Sequence, residues 1–414
     1  MSAPVRRLGP ATTLALLPRL LSDPIDTLTR LRERGDLLSL RLPGREILIV
    51  HDPDVVLELL VEKGRLFARG AGSNRSRLIL GEGLVTLDNE RQPAERRRLA
   101  PAFHQQAVGA YATTIVDCAE RAFAGLEGTI DAVALAQSLT VDVLAHTLFA
   151  GVPRPTLARV LGALAGVLSH SDARLTLLAH RLDLERLPLP FARRGRESRL
   201  ELANGVDELL AAAPDEGLVG LLRSASEPRG AVLNLLSAAF ETTAVSLAWT
   251  WRLLAEEPEH QERLAAEADE VAEGSSARPL ADGVVRESLR LYPSVWVLTR
   301  RAEQQVELGG ETLAPGTLVV VSPYSIHRDP RFHAEPDAFR PQRFSREPRR
   351  GSYLPFGTGA RMCVGARLAT LEETLATSVL ARCLRMRPVG PRPRPLPRVS
   401  LQVRGQMPLA LRPR

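Results

Sequence analysis

The chain has 414 residues, 44% hydrophobic and 25% charged, with three cysteines and a formal net charge of +6. That apolar share builds a sizeable core and excludes a disordered chain, and three widely spaced cysteines exclude a disulfide-stapled scaffold, so a reducing, cytoplasmic compartment is expected. The positive charge is nearly all arginine, but it is spread along the chain, aromatics are only 4% and no nucleic-acid module is recognisable, so no nucleic-acid partner is expected.

Residues 11–21 are apolar but interrupted by Pro18 and Arg19. They are too short to span a bilayer and lack a small-residue cleavage site, so neither a membrane anchor nor a signal peptide is expected. Residues 37–50 hold two β-type runs around Pro43-Gly44, a hairpin signal. From about 53 to 260 the periodicity of Leu and Ala is helical, broken at proline clusters such as Leu187-Pro188-Leu189-Pro190. Within it, residues 229–257 read as one uninterrupted helix closed by Pro258, roughly 40 Å long at about 1.5 Å per residue. Gly274-Ser275-Ser276 reads as a surface loop, and residues 299–323 return to strand character with turns at Gly309-Gly310 and Pro315-Gly316. Residues 327–357 are rich in loops, and a last helix is expected from after Cys363 to about Met386. There is no internal repeat and no composition break between independent halves. The expectation is one domain over residues 1–414, mainly α with small β-sheets. It would comprise a β-rich region at about 37–52 and 299–323, a helix-rich core at about 90–295, and a cysteine loop at 356–365.

That loop reads Phe356-Gly357-Thr358-Gly359-Ala360-Arg361-Met362-Cys363-Val364-Gly365. A cysteine between glycines at the mouth of a helix meets the helix's positive end and its free N–H groups, which favour the thiolate, the form that ligates iron. Gly357, Gly359 and Gly365 let the backbone approach a flat macrocycle, and Arg361 is a permanent cation suited to a carboxylate. Cys118 and Cys383, each inside an apolar helical pattern, read as small buried hydrophobes.

Phe356, Gly359, Arg361, Cys363 and Gly365 resemble the haem-binding signature of the cytochrome P450 family, and further family motifs follow in order over nearly the whole chain. The resemblance implies a triangular, helix-rich domain around a buried haem b (iron protoporphyrin IX) with Cys363 as its axial thiolate, the soluble bacterial kind of the family. It implies that Phe356, Gly357, Gly365 and Ala238 line the haem. Ala238-Ala239-Phe240-Glu241-Thr242 is similar to the family's Ala-Gly-x-acid-Thr segment, with Ala239 where glycine is usual; Glu241 and Thr242 are then the catalytic pair, relaying protons and hydrogen-bonding beside dioxygen. Without the resemblance, Thr242 reads as a hydroxyl bonded back to the carbonyl of Ala238. Glu287-x-x-Arg290 lies on one helical face, and the resemblance adds Arg343 as the third member of a structural triad. Arg361, Arg300 and Arg96 are the implied propionate cations, with Arg301 taking the place of Arg300 if the strand register slips, and Gln92 standing where relatives often have an aromatic residue. His327 is either a haem-edge contact or a packed histidine.

The activity implied is oxygen insertion from O2 into an apolar small molecule of terpenoid, fatty-acid or polyketide type, in bacterial secondary metabolism. The chain has no flavin, nicotinamide or iron–sulfur fingerprint, so electrons are expected from a ferredoxin and an NAD(P)H-dependent ferredoxin reductase, drawn to arginines such as Arg346, Arg349, Arg350 and Arg367. A peroxide-driven peroxygenase is the rival within the same scaffold, and the retained Glu241-Thr242 pair argues against it. A degenerate haem-fold interaction protein is the rival from another class, and the retained cysteine argues against that. Specificity is expected from residues 71–85, the segment near Pro188, the helix face of Leu235 and Ala238, and residues 295–298.

Overall fold

Proline placement sets where many helices begin. A residue that lacks an N–H and has its φ preset suits the first helical turn, and Pro10–Ser22, Pro24–Arg32, Pro53–Leu57, Pro228–Ala255 and Pro279–Leu291 all start on one. Asp23, Asp52 and Asp131 cap their helices by accepting first-turn N–H groups. The computed structural model describes residues 5–42, 45–70, 73–170, 190–212, 214, 217–270 and 278–414. The expected Pro43-Gly44 turn, the start of the 71–85 segment, Pro188 and the Gly274-Ser275-Ser276 loop lie outside them.

Pro228–Ala255 is the central strut, and 28 residues at about 1.5 Å each give it roughly 42 Å. It packs on Ala132–His146, on Pro279–Leu291 and on Ala366–Cys383, the helix that follows the cysteine loop. Trp249, Trp251, Leu247 and Leu254 are buried along it in the larger hydrophobic core. Among the described residues it is the one helix long and apolar enough to cross a membrane, and most of it is buried in the protein.

Most of the β-rich region forms a six-stranded sheet, in the order Arg6–Leu8, Leu37–Leu42, Arg45–Val50, Leu318–Val321, Leu298–Ala302, Phe67–Arg69, while Val306–Leu308 and Glu311–Leu313 pair separately. The expected hairpin pairs Leu37 with Val50 and Leu42 with Arg45. Residues 299–323 join it through Leu318–Val321, whose alternating burial places Val319 and Val321 in a second core with Leu48, Val50 and Phe67. Two departures from the sequence expectation matter. The edge strand Phe67–Arg69 interrupts the helical region and sets Arg69 opposite Arg300. The last helix stops at Cys383, and Leu384–Pro388 is a strand paired with Pro408–Pro413.

Candidate active site

The cysteine loop is built by its glycines and by two hydrogen bonds. Gly357 and Gly359 have φ of 67° and 73°, and a Cβ at Gly359 would lie 2.0 Å from the Leu60 carbonyl oxygen, whereas one at Gly357 would meet open space. The Cys363 N–H donates to the Phe356 carbonyl at 2.9 Å, and Arg96 Nη1 donates to the Met362 carbonyl at 2.6 Å. Gly365 then stands at the N-cap of Ala366–Cys383. Cys363 is exposed yet closely surrounded by protein, as the wall of an internal space would be. Burial pushes its thiol up, and the backbone N–H of Gly365 and the charge of Arg96 only partly pull it back. The thiolate expected from helix position alone is therefore not favoured by the protein; a bound cation would have to supply the difference, since metal coordination deprotonates a thiol outright.

A second open stretch lies in the long helix. Residues 231–236 and 243–255 are buried, while residues 237–242 between them are not, and Ala238 is exposed. An opening in the middle of a core helix marks an internal space rather than an outer face. The helices bearing the two stretches are tied by the Ser246 hydroxyl, which donates to Glu373 Oε2 at 2.7 Å. In the open stretch, Thr242 Oγ donates to the Ala238 carbonyl at 2.6 Å. This is the back-bonded arrangement that the residue gives by itself, with the lone pairs of Oγ left to accept. Glu241 Oε1 accepts from the side-chain amide of Gln402, and the Ser294 hydroxyl donates to the Thr242 carbonyl at 2.9 Å.

At the edge of the loop, Arg69, Arg300 and Arg361 converge. Burial pulls Arg69 and Arg300 down to about 10, and repulsion from Arg361 adds to it for both. No carboxylate eases either of them among the described residues. Arg361 holds its place by donating to the Leu87 carbonyl at 2.9 Å and to Asn89 Oδ1 at 3.0 Å. Arg301 is exposed, so the register puts Arg300 inward. Arg96 stands with the cysteine loop rather than with this trio.

The cytochrome P450 family model matches residues 11–188 and 189–403. The chain belongs to the cytochrome P450 family. Cyclooctatin synthase of Streptomyces melanosporofaciens is 34% identical, over 91% of this chain and 89% of its own length. Cyclooctat-9-en-7-ol 5-monooxygenase of the same organism is 33% identical, over 91% and 87%. Among solved structures, CYP175A1 from Thermus thermophilus superposes with a TM-score of 0.85 at 29% identity, covering 98% of this chain and 100% of that one. The protein is thus an oxidoreductase of the monooxygenase type, in a family that binds haem b.

The residues fit that group. Haem brings an iron that takes a thiolate and two propionates that need cations; this P450 offers the sulfur of Cys363 and three guanidiniums, of which Arg69 and Arg300 have no carboxylate acting on them among the described residues, while Asp88 and Glu303 ease Arg361. Away from this space, Glu287 and Arg290 are fully buried. Arg290 Nε meets Glu287 Oε2 at 2.7 Å and Nη2 meets Oε1 at 2.8 Å, Arg343 Nε meets Glu287 at 3.0 Å, and Arg290 also donates to the carbonyls of His327, Pro336 and Ala338. That is the structural triad. His327 is a packed histidine, since Nε2 accepts the Leu354 N–H at 2.7 Å, so Nδ1–H faces the Arg290 carbonyl at 3.1 Å. Sequence reasoning missed Arg69, Ser294 and Gln402; Arg69 sits in a three-residue strand without periodicity, and only its register partner Arg300 gives it meaning.

Proposed function

We propose that this P450 inserts one oxygen atom of O2 into an apolar terpenoid hydrocarbon or alcohol. Its support at the site is the arginine trio beside the cysteine loop, in which Arg69 and Arg300 are held near Arg361 with no carboxylate acting on either among the described residues, an arrangement that suits an anionic occupant. In this reading Cys363 is the axial ligand, Arg69, Arg300 and Arg361 hold the propionates, and Arg96 steadies the loop through Met362. Phe356, Gly357, Gly365 and Ala238 line the haem. When bound, haem supplies dioxygen activation and transfer of one oxygen atom to a C–H or C=C bond, at the expense of two electrons and two protons.

The protein's own part is orientation and proton handling. Glu241 carries the proton from the solvent side, and Thr242, its hydrogen already given to Ala238, orders the incoming water as an acceptor. Leu235 is buried beside the open stretch, and Val295, Val297 and Leu298 are half-buried, so an apolar molecule is favoured over a charged one. Two relatives are named for cyclooctat-9-en-7-ol and pentalenene, an alkene alcohol and an alkene. Electrons would come from a ferredoxin and its reductase. Arg346 and Arg350 are exposed without an ion pair among the described residues, while Arg349 is engaged by Asp54.

The test is a binding panel of pentalenene, cyclooctat-9-en-7-ol, palmitic acid and a macrolide, read by the low-to-high-spin Soret shift and then by turnover with a surrogate ferredoxin system. The two terpenoids should shift the spectrum and gain one oxygen atom. A response confined to the fatty acid or the macrolide would reject the terpenoid reading.

A further inference from the structure

Strands Pro395–Pro397 and Leu401–Val403 form an isolated antiparallel hairpin, with Pro395 opposite Val403 and Pro397 opposite Leu401. It is fastened to the site. The Leu401 N–H donates to the Ser294 carbonyl at 2.8 Å, and the Trp296 indole N–H donates to the Arg398 carbonyl at 2.8 Å. Ser294 in turn gives its hydroxyl hydrogen to the Thr242 carbonyl, and Gln402 gives its amide hydrogen to Glu241 Oε1. Two neighbouring residues of one strand thus reach two neighbouring residues of the long helix by separate routes.

The chemistry of the donor is informative. A half-buried glutamate has three free side-chain torsions, and holding it in one arrangement costs rotamer entropy that a charge-assisted hydrogen bond offsets. An arginine or lysine would do this too, but its fixed charge would keep the carboxyl ionised. A primary amide donates to a carboxylate and, more weakly, to the carbonyl oxygen of a carboxylic acid, so a proton can come and go at Oε2 while Oε1 stays held. We infer that the hairpin of residues 395–403 braces the acid–alcohol pair: Gln402 is a positioning residue that fixes Glu241 by Oε1 and leaves Oε2 to exchange protons, and Ser294 links the same strand to Thr242. This rests on the proposed proton-handling role of Glu241 and Thr242.

The experiment compares Gln402→Met, similar in length without a donor, Gln402→Lys, a donor with permanent charge, and Glu241→Gln, which keeps the acceptor but not the acid. Each haem-loaded protein is checked by its carbon monoxide spectrum, then read by amide hydrogen exchange over residues 398–404 and by product formed per NAD(P)H across pH. Gln402→Met should speed exchange of the strand about tenfold, the loss expected for a hydrogen bond to a charged group, and lower product yield severalfold. Gln402→Lys should keep wild-type exchange yet lower the yield and displace its pH profile. Glu241→Gln should also keep exchange and lower the yield. Wild-type exchange and yield in Gln402→Met, with Glu241→Gln impaired, would overturn the brace and leave the proton role standing. Wild-type yield in Glu241→Gln would overturn both.

Discussion

Removing one cation of the arginine trio should act in opposite directions on the haem-free and haem-loaded protein. Arg69 and Arg300 are pulled down from the ordinary guanidinium range to about 10, burial being the main cause and Arg361 the second. A guanidinium with a lowered pKa carries its penalty at every pH below the folded value and sheds it only above, so the penalty is fully present at pH 7. Each shift corresponds to about 3 kcal/mol, and roughly half survives once neighbours and water relax around the substitution. Arg69→Gln should therefore stabilise the haem-free protein by about 1–2 kcal/mol in urea unfolding. In the haem-loaded protein the same change deletes a charge-assisted bond to a propionate, worth about 1.5–3 kcal/mol, so haem loss to excess apomyoglobin should quicken by roughly 10- to 100-fold. Arg300→Gln should behave alike, and Arg301→Gln, on the exposed side of the same strand, should do neither. A haem-loss rate unchanged in Arg69→Gln, with a haem-free protein no more stable than wild type, would refute the idea that the trio awaits an anion.

Glu287→Ala leaves the fully buried Arg290, and beside it the partly exposed Arg343, without a compensating charge, which should cost about 3–5 kcal/mol in urea unfolding and lower haem content; a wild-type midpoint would make the triad a mere decoration. Burial pushes the Glu373 carboxyl up to about 8, so between an unfolded value of about 4.3 and that point the folded chain keeps a proton the unfolded chain has released. The contribution of Glu373 to stability should therefore fall with rising pH across that window by about 1.4 kcal/mol per pH unit, and Glu373→Gln should remove that share of the slope, leaving the share of Glu372; an unchanged slope in chemical denaturation at pH 5 to 8 would reject this. Thr242→Ala and Thr242→Val should both keep haem and substrate binding while lowering product per NAD(P)H by roughly tenfold or more in favour of peroxide, and unchanged coupling in both would leave the hydroxyl as a helix bond to Ala238 alone.

What the sequence reveals here is what is contiguous or regularly spaced. The cysteine loop is ten adjacent residues, and Glu287 and Arg290 fall on one helical face, so both can be read without coordinates. The end of the last helix cannot, because Leu384 and Met386 continue an apolar pattern that serves a strand of period two equally well. Arg69 and Gln402 are invisible for a different reason: their partners lie far along the chain, and nothing in a three-residue strand or a surface-type glutamine announces a cation cluster or a carboxylate brace. The hydrogen of Thr242 is ambiguous in sequence because both of its uses need the same residue; in this structure Oγ lies 2.6 Å from the Ala238 carbonyl.

Two clusters of ionisable groups stand near Cys363, one of buried carboxyls on the helix that follows it and one of arginines at the edge of its loop, and they differ in what they demand. Glu372 and Glu373 are pushed up by burial, Glu372 further by its neighbour, and a carboxyl so placed escapes the cost of charge by keeping its proton. It then needs only a hydrogen-bond partner such as Ser246, and no ligand. An arginine has no such exit, since even at about 10 it stays charged at neutral pH. Asp88 and Glu303 ease Arg361, but among the described residues no carboxylate does the same for Arg69 or Arg300. Of the two clusters the cationic one alone keeps its charge, and its place at the edge of the cysteine loop suits the carboxylates of a cofactor such as haem b.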